Sequence, residues 1–483
     1  MIFGVWIGLQ FREENETAEG KLTQFFNYLE QEYVDTLDVD PLIEEAMAHI
    51  LAQLDPHSTY IPLAGNEYME ERMNGGFYGI GVEFHFHWDT LVFTYVMPDG
   101  PADRFGIEAG DRVLAIDGVP VISDTMVNDD VSTRIKGPLN TFVKLQLLRD
   151  RDTVELEVQR GLIPLNSIPV AFVHQGIGYV KVARFSETTH DEFVTALAQL
   201  DSQGMRSLVI DLRDNPGGFL HEATAIADEF LREDQVIVST HYREGDAHYT
   251  YSTARGNYWD LPVHIVLNEN SASASEVLAG ALQDHDRATI HGRPSFGKGL
   301  VQEDKYLDDG SRVRLTVAYY FTPSGRCIQR EFDGQGYVDF SQEALFVSDS
   351  GKELTSGGGI APDFYLDKDS LLTAYWRVFN FGAINDYGFL RADTARQTYR
   401  QLTLEDYAKN YRVSDIQLLH FLTSGGYGVA LEDLSEADRT ELKRLLKASV
   451  AQFVWGFDGY QRVLVEDDTE VREVLRRARI SLQ

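Results

Sequence analysis

HIVLNENSASASEVLAGALQDHDRATIHGRPSFGKGLVQ, residues 264–302, holds an apolar strand, a run of small and hydroxyl residues, a helical pattern and a lysine between two glycines. HIVLNEN is a short apolar run closed by turn residues, which reads as a buried strand. SEVLAGALQDH places Val277, Leu278, Ala281 and Leu282 on one helical face. The same alternation extends upstream: IGYVKVARF as a strand, HDEFVTALAQLDSQG as a helix, SLVIDL as a buried strand and HEATAIADEFL as a helix. Strand–helix alternation implies βαβ units and a mainly parallel sheet, with functional loops at the strands' C-terminal ends. An α/β region over residues 163–367 follows from this pattern.

The flanks differ. Residues 20–75 carry helical spacing, as in KLTQFFNYLEQEYV and PLIEEAMAHILAQL, until LDPHSTYIP breaks it. Residues 76–162 read as short strands separated by Gly, Pro and Asp turns, the pattern of a small β-rich domain inserted before the α/β region. Residues 368–483 are helix-like. At 483 residues the chain exceeds a single hydrophobic core. The predicted division is therefore 1–75, 76–162, 163–367 and 368–483.

A net charge of −33 repels phosphate backbones and anionic lipid surfaces, so nucleic acid is excluded as a partner class. The single cysteine, Cys327, permits no intrachain disulfide, and no base neighbours it in PSGRC. The N-terminal MIFGVWIGLQF is too short to span a bilayer, which takes about 20 residues. Its abrupt change to FREENETAEG favours the remnant of a membrane anchor over a first helix or strand.

Three segments of the α/β region can carry chemistry. In DLRDNPGGFL, residues 211–220, glycines between a strand and a helix let backbone N–H groups face outward, as an oxyanion site requires; taken alone, an ordinary tight βα turn is the simpler account of them. In SASAS a serine at a helix start would stand exposed at the top of the sheet, with the next N–H beside it. Ser273 and Glu276 also fit a helix-capping box, and the pattern does not choose among Ser271, Ser273 and Ser275. Lys298 sits in FGKG. As a general base it must be neutral, which lowers its pKa from about 10.4 towards 7, a cost of about 4–5 kcal/mol met by burial. Gln302, four residues on, is placed to orient it. Among histidine bases, His57, His285 and His291 come nearest, and His285 and His291 read as structural. His85 and His87 share one strand face without a third ligand in view, so no metal and no cofactor are expected.

These segments together resemble the C-terminal processing (tail-specific) serine protease family. Its hallmark stands here as SASASEVLAGALQDHDRATIHGRPSFGKGLVQ followed by DGSRVRLTVAYYFTPSGRCIQ. The resemblance implies a crotonase/ClpP-like protease core, a Ser273 nucleophile, a Lys298 base oriented by Gln302, and an oxyanion hole of the Gly217 and Ala274 N–H groups. YGIGVEF and DGPADRFGIEAGDRVLAIDGVPV resemble the family's PDZ domain, whose Gly79, Ile80, Gly81 and Val82 would bind a peptide C-terminus. Implied with it are protein substrates with apolar C-termini, a periplasmic or cell-envelope location with an inner-membrane anchor, and room for an adaptor or a homo-oligomer. The region after 367, including GFDGYQRVLVEDDTEVREVL, is similar to extensions of Bacteroidetes-type members. The alternative is a catalytically silent PDZ scaffold. A Ser-His-Asp esterase lacks its G-x-S-x-G elbow here.

Overall fold

The computed structural model describes residues 18–63, 70–87, 89–121, 127–149, 151–243, 245–332, 345–366, 381–399, 401–424 and 429–482. The anchor expected at residues 1–11 lies outside them. Among the described residues no helix is long and apolar enough to cross a membrane. The chain packs into two compact units, residues 1–67 with 300–318 and 332–338, and residues 68–299 with 319–331 and 339–483.

In the first unit the helices Ala18–Glu32 and Asp40–Ala52 lead into an Asp55 turn. The Asp55 carboxylate accepts from the N–H groups of His57 and Ser58, both at 2.7 Å, and from the Ser58 hydroxyl at 2.6 Å. An aspartate that satisfies the following backbone in this way stabilises a turn. The strand Thr59–Ile61 then pairs antiparallel with the strand beginning at Arg312, with Tyr60 opposite Val313. The strand Leu300–Tyr306 pairs with that same strand.

The second unit centres on a six-stranded sheet ordered Val170–His174, Ile177–Lys181, Ser207–Asp211, Val263–Leu267, Ala288–Gly292, Phe364–Tyr365. Its first pair is antiparallel and the remaining pairs are parallel. SLVID and VHIVL are buried at every residue, because a parallel sheet is covered on both faces. The three chemistry-bearing loops leave the C-terminal ends of three neighbouring parallel strands: Asn215–Gly218 after Asp211, Ser271–Ser275 after Leu267, and Phe296–Gly299 after Gly292.

The β-rich domain is a sheet ordered Val82–His87, Thr90–Val96, Arg112–Ile116, Phe142–Arg149, Asp152–Gln159, with Val82–His87 at its edge. Its core holds Ile80, Phe93, Val113 and Leu145 with Val131 and Ile135 of the helix Asn128–Ile135. The C-terminal helices have their own core, including Tyr407, Leu418 and Leu446. Their longest helix, Glu436–Glu466, kinks at Gly456, whose φ of 73° leaves the helical region. A side chain there would meet the Tyr95 ring at 2.9 Å, so glycine is needed where the helix crosses the β-rich domain. The last helix, Thr469–Ile480, lies on the core sheet, with Val474 and Ala478 beside Tyr179 and Val209. Arg213 fixes its start through Asp468 at 3.1 Å and Glu470 at 2.8 Å. The α/β core, the inserted β-rich domain and the helical flanks expected from the sequence are all present.

Candidate active site

The three serines of SASAS have different fates. Ser271 is buried and its hydroxyl donates to the Leu212 carbonyl at 2.8 Å. Ser275 is buried and donates to the Asn215 carbonyl at 3.1 Å. Ser273 is only half-buried. Its φ of 56° and ψ of −114° place a non-glycine residue in a sparsely populated region at the strand-to-helix junction. No helix N–H bonds to its hydroxyl; the Glu276 N–H bonds to the Ser273 carbonyl instead, at 2.8 Å. Burial thus separates the three: Ser271 and Ser275 hold the loop, and Ser273 is the one that is not buried.

Glu276, read from sequence as a cap, does more than cap. It is fully buried and one of its oxygens accepts from the N–H of Ser273 at 2.8 Å and from the N–H of Lys298 at 2.9 Å. The two backbone nitrogens can therefore be no further apart than the sum of those lengths. Its other oxygen accepts from the Ser295 hydroxyl at 2.5 Å and the Gly297 N–H at 2.8 Å. Burial pushes its pKa up to about 7, against the four hydrogen bonds that favour the carboxylate. The buried Tyr320 hydroxyl adds a second tie, donating to the Ser273 carbonyl at 3.0 Å and to the Lys298 carbonyl. Neither residue stands out by motif. Only the S-x-x-E spacing could have drawn attention to Glu276, and it suggested a local role.

On the opposite side, Asn215 holds the glycine turn. Its carbonyl accepts from Ala272 N at 3.0 Å, and its Nδ2 donates to the Val182 carbonyl at 2.9 Å. Gly217 has φ of 100°, and a Cβ there would come within 2.9 Å of Ser273 Cβ and 3.1 Å of Ala274 N, so the turn can approach the serine only as glycine. Of the two expected oxyanion donors, Ala274 N–H bonds to no protein atom among the described residues, whereas Gly217 N–H donates to Asn215 Oδ1 at 2.9 Å.

Gln302 lies on the strand Leu300–Tyr306 of the first unit, where its Nε2 donates to the His57 carbonyl at 2.6 Å. His285 caps the far end of the Ser273 helix, twelve residues on. That is about 18 Å from the serine at 1.5 Å per residue. Its ring bonds to Asp349 at 2.8 Å and to the Val236 carbonyl at 2.7 Å. His291 faces His264 at 3.0 Å in the core, and burial holds both at a pKa of about 4. Burial also pushes the Cys327 thiol up, away from the thiolate. In the β-rich domain, Ile80 and Gly81 are buried and their N–H groups donate to no protein atom among the described residues. Gly79 ends the strand Gly76–Gly79 and Val82 begins the edge strand.

Comparison with known proteins gives matches over the α/β region, the β-rich domain and the C-terminal helices. Residues 176–336 match peptidase family S41, and residues 92–149 match a PDZ domain. Residues 374–456 match a family of unknown function, DUF8443. A carboxy-terminal-processing protease of Bartonella bacilliformis is 35% identical over 63% of this chain and 71% of its own length. A probable CtpA-like serine protease of Staphylococcus haemolyticus is 33% identical over 64% of this chain and 62% of its own. The carboxy-terminal processing protease CtpB of Bacillus subtilis is 29% identical over 67% and 68%.

Proposed function

This chain belongs to the peptidase family S41 of carboxy-terminal-processing serine proteases and carries a PDZ domain, and from that premise we propose that Ser273 and Lys298 form its catalytic dyad. The observation that supports this most is the shared Glu276 oxygen, which accepts from the backbone of both residues. Neutral Lys298 takes the Ser273 proton as Oγ attacks the scissile carbonyl, giving an acyl-enzyme after the protonated lysine returns the proton to the leaving amine. Water then attacks the ester by the same route. Gln302 orients the lysine. The oxyanion is met by Ala274 N–H and by Gly217 N–H once the latter leaves Asn215.

The PDZ domain supplies the substrate. Ile80 and Gly81 N–H groups cap a terminal carboxylate, helped by Gly79 and Val82, while the peptide pairs with the open edge of Val82–His87. Substrates are unstructured proteins with apolar C-termini. We place the enzyme in the periplasm or cell envelope, where an adaptor or a second copy could join it; fractionation of the host cell checks the location.

A serine-reactive probe tests the dyad. It should add one mass to the wild-type chain, on Ser273, and none to Ser273→Ala, which stays folded and loses turnover. Turnover retained by Ser273→Ala refutes the assignment, and an unlabelled wild-type chain leaves the silent scaffold as the better reading.

A further inference from the structure

Along the PDZ edge strand, Val82, Phe84 and Phe86 pack into the domain core. Alternation along a strand turns His85 and His87 the other way, towards the C-terminal helices. The helix Phe381–Thr394 there brings Asp386, whose Oδ1 lies 3.1 Å from His85 Nε2. Donor atoms of His85, His87 and Asp386 all lie within 4.8 Å of one another. The sequence offered two imidazoles on one strand face; the fold supplies the third donor from 301 residues away.

The surroundings favour a bound ion. Phe389 and Phe453 are almost fully buried beneath the rings. Phe389 lies 5.3 Å from the His85 ring and 4.9 Å from His87, and Phe453 lies 5.4 Å from His85. Such an apolar floor limits ring rotation and solvent access, as around a metal. Two imidazole nitrogens with one carboxylate oxygen suit zinc and related divalent ions rather than calcium or magnesium, which take oxygen. Donors about 2.0–2.1 Å from a tetrahedral ion sit about 3.3 Å apart, close to the His85–Asp386 separation. The donor of His87 lies within 4.8 Å of the other two. A simple ion pair needs one histidine, not two. Asp386 is 56% exposed, leaving the fourth position to water. The net charge of −33 raises the local concentration of cations.

We propose that His85, His87 and Asp386 form a zinc-type site that staples the PDZ edge strand to the C-terminal helices. The site stands independently of the dyad. It gives the C-terminal region a task, holding the strand that would pair with substrate.

The test uses the full chain, stripped with a chelator, dialysed and titrated with Co2+. Wild type should take up one ion with the visible bands of tetrahedral cobalt, bleached by Zn2+, and Zn2+ should raise its melting temperature. His87→Gln should lose the bands. Asp386→Asn, at an exposed position that tolerates the change, should weaken Zn2+ at least about tenfold, the scale of losing even an outer partner of a metal ligand. His221→Ala breaks the other candidate cluster, Glu187, His221 and Glu222, and should change nothing. Absence of cobalt uptake, uptake indifferent to both His87→Gln and Asp386→Asn, or uptake lost in His221→Ala would each overturn the proposal.

Discussion

Glu276 is where a small change should have the largest effect on chemistry without touching substrate. Glu276→Gln keeps shape but turns one acceptor oxygen into an NH2 donor. If that donor faces Ser273 and Lys298, two buried N–H groups lose their acceptor. If the amide flips, Ser295 can rotate to accept and turn its own proton away, and of the backbone donors only the Gly297 N–H is orphaned. The flipped form therefore wins, at a cost of about 1–3 kcal/mol for one unsatisfied buried donor. Glu276→Ala orphans all four donors and should cost more than either orientation. A loss of 1–3 kcal/mol corresponds to about 5- to 150-fold in rate if it falls on the alignment of Ser273 with Lys298. The assay is kcat/KM on an unstructured protein with an apolar C-terminus, alongside urea unfolding. We expect the glutamine variant to be folded and slowed within that range, and the alanine variant slower still. Alanine at 276 with turnover within twofold of wild type and an unchanged urea midpoint would refute the tether.

Two further outcomes follow. Amidating a substrate's C-terminal carboxylate should lower its processing rate by raising KM, because the charge met by the Ile80 and Gly81 N–H groups is gone; an unchanged rate removes PDZ capture. His264 and His291 have folded pKa values of about 4, depressed from 6.5 first by burial. A depressed histidine lets the unfolded chain bind protons first, so stability is full above about pH 6.5 and falls as pH drops towards 4. Urea midpoints measured across that window should decline, and less so in His264→Gln; equal slopes would contradict the assignment.

Much of the fold was legible because periodicity reports burial. SLVID and VHIVL read as buried strands and are, and Val277, Leu278, Ala281 and Leu282 all lie inside. The lysine and its glycines were legible as a motif. What escaped was decided by contacts distant in sequence. Ser271 and Ser275 differ from Ser273 through carbonyls of Leu212 and Asn215, some 60 residues earlier. Glu276 looked like a cap because its Ser273 bond is local, whereas its bonds to Ser295, Gly297 and Lys298 arrive from the next strand's loop. Gly217 was read as an oxyanion donor, but no spacing rule foretells that Asn215, two residues before it, takes its N–H.

The most direct test of the account is turnover of wild type and Lys298→Ala from pH 6 to 10. The dyad predicts wild-type activity that rises with pH as the lysine loses its proton, and none above background in the variant at any pH. Activity that survives without Lys298 would contradict it and assign the base to another residue.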